Sequence, residues 1–299
     1  MNNIISIGNF DGIHRGHRKL IHHMLELARQ RSLRTVILTY DQHPAYTLNA
    51  AAKPLLLLPV PQKKQRLLEL GIDQVELLRF DEDFAHISAA DFLHSHLMPN
   101  YSPSVIVVGY DSHFGFQRQG DLSFLSTHAA QYGFELHYVE ACLDNGTPIS
   151  SSQIRQLLLQ GDVVSANQLL GTAYTLFGNV IPGKGLGQKL GFPTANLCIC
   201  DPHQLIPAPG VYLSRVRWGE SSFFGLTNIG TNPTVKSGDK IGVETHILDF
   251  DQTIYNEYLE LELLRFLREE RMFSDTDTLI RAMQGDLRQA KTLLAQGVS

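Results

Sequence analysis

The chain has 299 residues, 43% of them apolar and 18% charged, with a formal net charge of −5. That supplies apolar material for about two globular cores, and the acidic balance excludes a general nucleic-acid binder, whose surface is basic. No apolar run reaches the roughly 18 residues that span a bilayer, and Met1-Asn2-Asn3 lacks the cationic start of a leader, so no membrane partner and a cytoplasmic location are expected.

In chain order, the first half predicts strands at Ile4–Ile7, Thr35–Thr39, Val75–Leu78, Val105–Val108 and Leu136–Val139. Amphipathic stretches lie between them, as at Leu20, Met24, Leu25 and Ala28, at Leu67 and Leu68 after Gln62-Lys63-Lys64, and at Phe92, Leu93 and Leu97. Buried runs alternating with helices predict an α/β unit with a Rossmann-like parallel sheet covered on both faces. Such a sheet binds ligands at the carboxyl ends of its strands. A helical stretch, Gln153 to Leu170, closes this half. After Gly171 short segments are punctuated by Gly and Pro, with strands expected at Val211–Val216, Phe223–Leu226, Val243–Leu248 and Leu259–Leu263. This texture predicts a C-terminal antiparallel β-barrel, and the spacing of Leu279, Met283, Leu287, Ala290 and Leu294 predicts a terminal helix. The expected domains are 1–170 and 171–299.

Directly after the first strand comes Gly8-Asn9-Phe10-Asp11-Gly12-Ile13-His14-Arg15-Gly16-His17. A strand, a glycine turn and a helix start bring backbone N–H groups and a positive dipole end to one point, which suits phosphate. His14 and His17, three apart, share one face of a helical turn, and Gly16 lets a ligand approach the backbone. Neutral imidazoles donate hydrogen bonds to charge that builds on phosphate oxygens. Two solvated histidines at a helix start are the plainer account of the pair. Two later segments are expected at the same pocket. Val107 to Gly115, containing Asp111, leaves a buried strand at its carboxyl end, and Ile149-Ser150-Ser151-Ser152-Gln153-Ile154-Arg155 opens a helix. The serines suit capping as well as ligand contact, and Arg155 suits a phosphate.

In the second half, Gly178-x-x-x-x-Gly183-Lys184 is not a P-loop, because Gly185 stands where Ser or Thr would bind Mg²⁺ and no helix can start at Gly185 and Gly187. The stronger feature runs from Gly183-Lys184-Gly185 to Gly191-Phe192-Pro193-Thr194-Ala195-Asn196. Its glycines expose amides for phosphate, and Thr194 and Asn196 are oxygen ligands two residues apart that suit Mg²⁺. An ordinary Gly/Pro loop is the alternative. The three cysteines, Cys142, Cys198 and Cys200, form neither a disulfide framework nor a paired metal motif. The 13 histidines are scattered and read mostly as surface or packed residues.

The first half resembles the adenylyltransferase module of bacterial bifunctional riboflavin kinase/FAD synthetases, of the HxGH nucleotidyltransferase type. The resemblance is carried by Gly8–His17, Leu38-Thr39-Tyr40-Asp41-Gln42-His43-Pro44, Gly109–Gly115 and Ile149–Arg155. Gly-Phe-Pro-Thr-Ala-Asn at 191–196 resembles the signature of the riboflavin kinases, a six-stranded barrel family. Gly210-Val211-Tyr212, Asn228-Ile229-Gly230-Thr231-Asn232-Pro233-Thr234 and Val243-Glu244-Thr245-His246 support it. The resemblance implies phosphorylation of riboflavin by ATP to FMN, then attack of the FMN phosphate on the α-phosphorus of ATP to give FAD and pyrophosphate.

In that scheme His14 and His17 steady phosphates, Asp111 and Arg155 line the nucleotide site, Thr194 and Asn196 hold Mg²⁺ with ATP, and Glu244 is the general base. Gly8, Phe10, Asp11, Gly12, Gly16, Ser150, Ser151, Ser152, Gly183, Lys184, Gly185, Gly191, Phe192, Pro193 and Asn228 are the further candidate contacts. Riboflavin, FMN and ATP are the expected small-molecule partners, with flavoproteins as downstream recipients of FAD. On residues alone Glu244 is one acid among many, and a cross-strand ion pair accounts for it. The chain departs from the family pattern at Gln188, Thr172, Ser112, His113 and Asn256. The competing readings are an FAD synthetase with an impaired kinase half, a different nucleotidyltransferase carrying an unrelated accessory barrel, and a non-catalytic flavin- or nucleotide-binding protein on the same scaffold.

Overall fold

The computed structural model describes residues 2–48, 54–183, 185, 187, 190–231, 241–273 and 275–298. The chain divides into two compact units, Met1–Ser151 and Ser152–Ser299. This division falls at the first residue of helix Ser151–Leu159 and before helix Val163–Leu170, whereas the sequence patterning changes after them.

All five strands expected in the first half are present: β1 Asn3–Ile7, β2 Arg34–Tyr40, β3 Gln74–Leu78, β4 Pro103–Gly109 and β5 Glu135–Val139. They form one parallel sheet in the order β3-β2-β1-β4-β5. Side chains alternate across the sheet, so neighbours serve different cores. Ile4, Ile37 and Val107 pack with Leu20, Ile21 and Met24 of helix Arg15–Arg31 and Leu67 of helix Val60–Glu69. Ile5, Leu38 and Ile106 pack with Phe92, Leu93 and Leu97 on the other face. The chain leaves β1 toward β2 and leaves β4 toward β5, in opposite directions. The crevice at the carboxyl ends of these two central strands is therefore the topological switch point, where such sheets bind ligands. A short ribbon, β6 Leu143–Asp144 with β7 Thr147–Pro148, follows.

The second unit holds a closed barrel of β8 Tyr174–Ile181, β9 Ala195–Ile199, β10 Gly210–Trp218, β11 Ser221–Thr231, β12 Ile241–Ile247 and β13 Tyr258–Arg268, in the order β10-β11-β12-β9-β8-β13. The hydrophobic pattern had marked four of these six; β8 and β9 lie in the stretch that reads as Gly/Pro loop. Gly178 explains why a strand there contains glycine, because a Cβ at that position would lie 2.8 Å from the Cys198 carbonyl oxygen. Inside the barrel three fully buried hydroxyls cross strands. Ser214 Oγ lies 2.7 Å from Thr227 Oγ1, which donates to Thr245 Oγ1 at 3.1 Å.

The terminal helix, Thr276–Ala295, is capped by Asp275, whose carboxylate accepts from the Thr278 amide. Ala290, with Leu287 and Leu294 beside it, packs on Val211, Leu213 and Leu264 outside the barrel. Arg268 fixes this helix through two bonds to Asp286, at 2.8 and 2.9 Å.

Candidate active sites

In the first unit β1 ends in a turn with left-handed backbone at Phe10, Gly12 and Ile13. His14 then caps helix Arg15–Arg31, its Nδ1 accepting from the His17 amide at 3.4 Å. An Nδ1 that accepts carries no proton, so neutral His14 has its proton on Nε2. The two rings stack, centroids 3.7 Å apart. Burial pushes His14 down to about 4. His17 is held well below the ordinary histidine value by burial, then by His14 and Lys63. Both rings are therefore neutral at physiological pH, the state in which each has one N–H to give.

The neighbouring candidates fall into two groups. Phe10 is almost fully buried, with its ring 3.2 Å from the Cβ position of Gly8 and 5.2 Å from the His17 ring. The buried Asp11 carboxylate accepts from the amides of Leu57 and Leu58, and the Asp11 carbonyl from Ser151 Oγ at 3.0 Å. Both residues thus brace the turn. Gly16 has a different reason from the one expected. A Cβ there would lie 3.1 Å from the His14 ring, so the glycine makes room for a side chain. Asp111 is exposed just beyond β4, where the Gly109 amide donates to Ser112 Oγ at 2.8 Å. Ser150 immediately precedes helix Ser151–Leu159, and Ser152 and Arg155 lie on it, at the start of the second unit. His43 accepts from the Ala45 amide at 3.1 Å, shaping its own turn.

Sequence reasoning missed Lys63. It is 3% exposed, and its ammonium donates at 3.1 Å to both the Asn9 carbonyl, just beyond β1, and the carbonyl of Tyr40, the last residue of β2. Burial pushes it down to about 8, against the pull of Asp11 and Asp41. The one available signal was helix register, since Lys63 lies four residues before the buried Leu67.

In the barrel, strand register assembles the second group. Asn196 of β9 is directly opposite Glu244 of β12, which is directly opposite Asn228 of β11. Directly paired residues share a face, and the next residue in this row, Val211, packs under the terminal helix. The row therefore lies on the outside of the barrel, and all three polar residues are half-buried. Thr194 lies two residues before Asn196. Gly183 presses on this row, because a Cβ there would meet Asn196 Nδ2 at 2.1 Å. The Phe192 amide donates to the Gly187 carbonyl at 2.8 Å, and His246 Nδ1 donates to the Pro193 carbonyl at 2.8 Å. Gly185 and Gly191 have positive φ, 68° and 81°, as tight turns require. Lys184, Gln188 and the 232–234 stretch lie outside the described residues. Among the described residues no helix is long and apolar enough to cross a membrane, and no group of three or more His, Cys, Asp or Glu is placed to hold a metal ion.

Comparison with known proteins bears on both units. The FAD synthetase family matches residues 1–153, and the riboflavin kinase family matches residues 170–294. A bifunctional riboflavin kinase/FMN adenylyltransferase of Listeria monocytogenes is 33% identical over 99% of this chain and 94% of its own length. One from Escherichia coli K12 is 34% identical over 92% of this chain and 88% of its own. The fold is also similar to the crystal structure of a Streptococcus pneumoniae protein described as a macrolide-efflux protein, with TM-score 0.89 and 29% identity over 97% of this chain and 94% of that one. With a parallel-sheet unit, a six-stranded barrel and both family patterns in order along its length, the chain belongs to the bifunctional riboflavin kinase/FMN adenylyltransferase family.

Proposed function

We propose that the barrel phosphorylates riboflavin to FMN and that the parallel-sheet unit adenylylates FMN to FAD, with ATP as donor in both steps. Two observations support this reading: the stacked, buried His14 and His17 rings at the end of β1 in the first unit, and the Asn196, Glu244 and Asn228 row in the barrel. In the first unit the neutral His14 and His17 rings present N–H donors where phosphate oxygens gain charge, as an oxygen of the FMN phosphate bonds to the α-phosphorus and the bond to pyrophosphate breaks. Donors fixed in advance need no reorganisation during the reaction. Gly8 and Gly12 offer backbone amides, Asp111 and Ser150 contact the nucleotide, and Phe10, Asp11, Gly16 and Ser151 hold that arrangement; for Ser152 and Arg155, which open the second unit, a nucleotide role rests on the family resemblance alone.

In the barrel, Glu244 accepts the proton of the ribityl hydroxyl as its oxygen bonds to the γ-phosphorus of ATP. Asn228 flanks Glu244, and Gly183, Lys184, Gly185, Gly191, Phe192 and Pro193 shape the nucleotide loop. Thr194 and Asn196 offer the neutral oxygen donors that a hard cation takes, so they fit Mg²⁺. Bound with ATP, that ion would neutralise phosphate charge. The functional domains are taken as 1–170 and 171–299. The cytoplasm is the working location, and flavoproteins receive the FAD; no nucleic acid or membrane takes part.

Incubation with riboflavin, ATP and Mg²⁺, with flavins resolved by chromatography, tests the reading. Both FMN and FAD are expected. FAD formed only from supplied FMN would mean a silent barrel, and flavin binding without any product would overturn the catalytic reading.

A further inference from the structure

The turn that leads into the histidine pair is strained. Phe10, Gly12 and Ile13 have positive φ, 51°, 80° and 43°, a region that an aromatic residue adopts rarely and a β-branched one hardly at all. Such backbone persists only where its surroundings hold it. One segment of chain grips the turn on both sides of Phe10. The Asp11 carboxylate takes the amides of Leu57 and Leu58, just ahead of helix Val60–Glu69. Lys63, on that helix, donates at 3.1 Å to the Asn9 carbonyl, which also accepts from Thr39 Oγ1 at 3.0 Å.

These two donors fix which way the Asn9–Phe10 peptide faces. Both come from the β2 side: Thr39 lies in β2, and Lys63 also bonds the carbonyl of its last residue, Tyr40, at 3.1 Å. The Asn9 carbonyl, just past β1, therefore points toward β2. Among the described residues there is no cis peptide bond, and a trans peptide directs its N–H opposite to its C=O. The sheet order puts β4 on the other side of β1, so the Phe10 N–H points toward the crevice between β1 and β4, the topological switch point. Among the described residues that amide has no backbone acceptor. We propose that Lys63, together with Thr39, is a positioning residue for adenylyl transfer, turning the Phe10 amide toward the nucleotide phosphates. This rests on the reading of the first unit as the adenylyltransferase. Without the ammonium the peptide can swing and the strained turn relax, so a donor is displaced although no group that touches substrate has been removed.

The test uses the full chain labelled with ¹⁵N-phenylalanine, in which the Phe10 amide signal is the one absent from Phe10→Leu. Saturating ATP with Mg²⁺, without flavin, is expected to move that proton signal downfield, as a new charge-assisted hydrogen bond does. A Phe10 signal that does not respond overturns the proposal. Lys63→Met is expected to shrink the response and to lower the kcat of FAD formation from supplied FMN by about tenfold, with the KM for FMN little changed and FMN formation from riboflavin intact. A wild-type kcat or an undiminished Phe10 response in Lys63→Met overturns it as well. Should that variant fail to fold, Thr39→Val removes the other donor to the Asn9 carbonyl, and the same two readouts decide, a loss in both again being expected. If the wild-type chain makes no FAD from FMN, the reading of the first unit fails instead, which is a different result.

Discussion

The imidazoles of His14 and His17 lie face to face, centroids 3.7 Å apart and planes 17° from parallel. Two imidazolium ions would repel strongly at that distance, so the pair works uncharged. On the proposed function, removing either ring takes away a donor to developing phosphate charge. His14→Ala and His17→Ala are each expected to slow FAD formation by about 10²- to 10³-fold and to leave FMN formation unchanged. Separate assays of the two products check this, and equal loss of both would point to misfolding instead.

The same pair makes the first unit sensitive to acid. The folded value of His14 is lowered to about 4, whereas in the unfolded chain it titrates near 6.5. Between those values the unfolded form binds a proton that the folded form refuses. Stability is therefore full above about pH 6.5 and falls as pH drops toward 4, by about 3 kcal/mol from His14, with His17 acting in the same direction. Hydrogen exchange of the Ile4–Ile7 amides should follow this fall. Protection that stays flat across the window would refute it.

Glu244 sits between two amide side chains, Asn196 and Asn228, in one cross-strand row. Glu244→Gln preserves shape and removes the proposed proton acceptor. FMN formation should drop by about 10²- to 10⁴-fold, and FAD formation from supplied FMN should persist.

Gly183 tests the loop over that row. A methyl group there would lie 2.1 Å from Asn196 Nδ2, but the obstructed atom ends a side chain that can rotate away. Gly183→Ala should therefore leave the barrel folded while displacing Asn196. The Mg²⁺ concentration for half-maximal FMN synthesis is expected to rise about tenfold; an unchanged requirement would separate Asn196 from the metal.

Asp286 is 6% exposed and paired with Arg268. Arg268→Met leaves a buried carboxylate without its partner and should cost about 3–5 kcal/mol. Adding Asp286→Leu should recover much of that. The single tryptophan, Trp218, lies in the barrel, so its fluorescence during urea unfolding reports on this unit.

The parallel strands were legible because both their faces are buried, which leaves unbroken runs such as Ile4–Ile7. Strands β8 and β9 were not, because Gly178 and Asn179 interrupt one and the other emerges from a glycine loop; the close approach that demands Gly178 is a tertiary fact. The His14 and His17 spacing was legible, but the use of Gly16 to seat the His14 ring was not, because a glycine beside a phosphate turn and one beside a side chain look alike in sequence. Lys63 was hidden because a lysine within Gln62-Lys63-Lys64 reads as solvated, and only its alignment with Leu67 turns it inward. The Asn196, Glu244 and Asn228 row depends on register across three strands, which no local pattern encodes.

The hydroxyl column of Ser214, Thr227 and Thr245 bears on how the barrel guards against error. Thr245 follows Glu244 directly, so sliding β12 by one residue would swap them, driving a carboxylate into the apolar interior and turning a hydroxyl outward. Thr227 and Thr245 meet only when the strand is correctly threaded. The interior thus works as a combination lock for the exterior: a chain that has closed its barrel with those hydroxyls matched has already turned Glu244, the proposed base, to the outer surface.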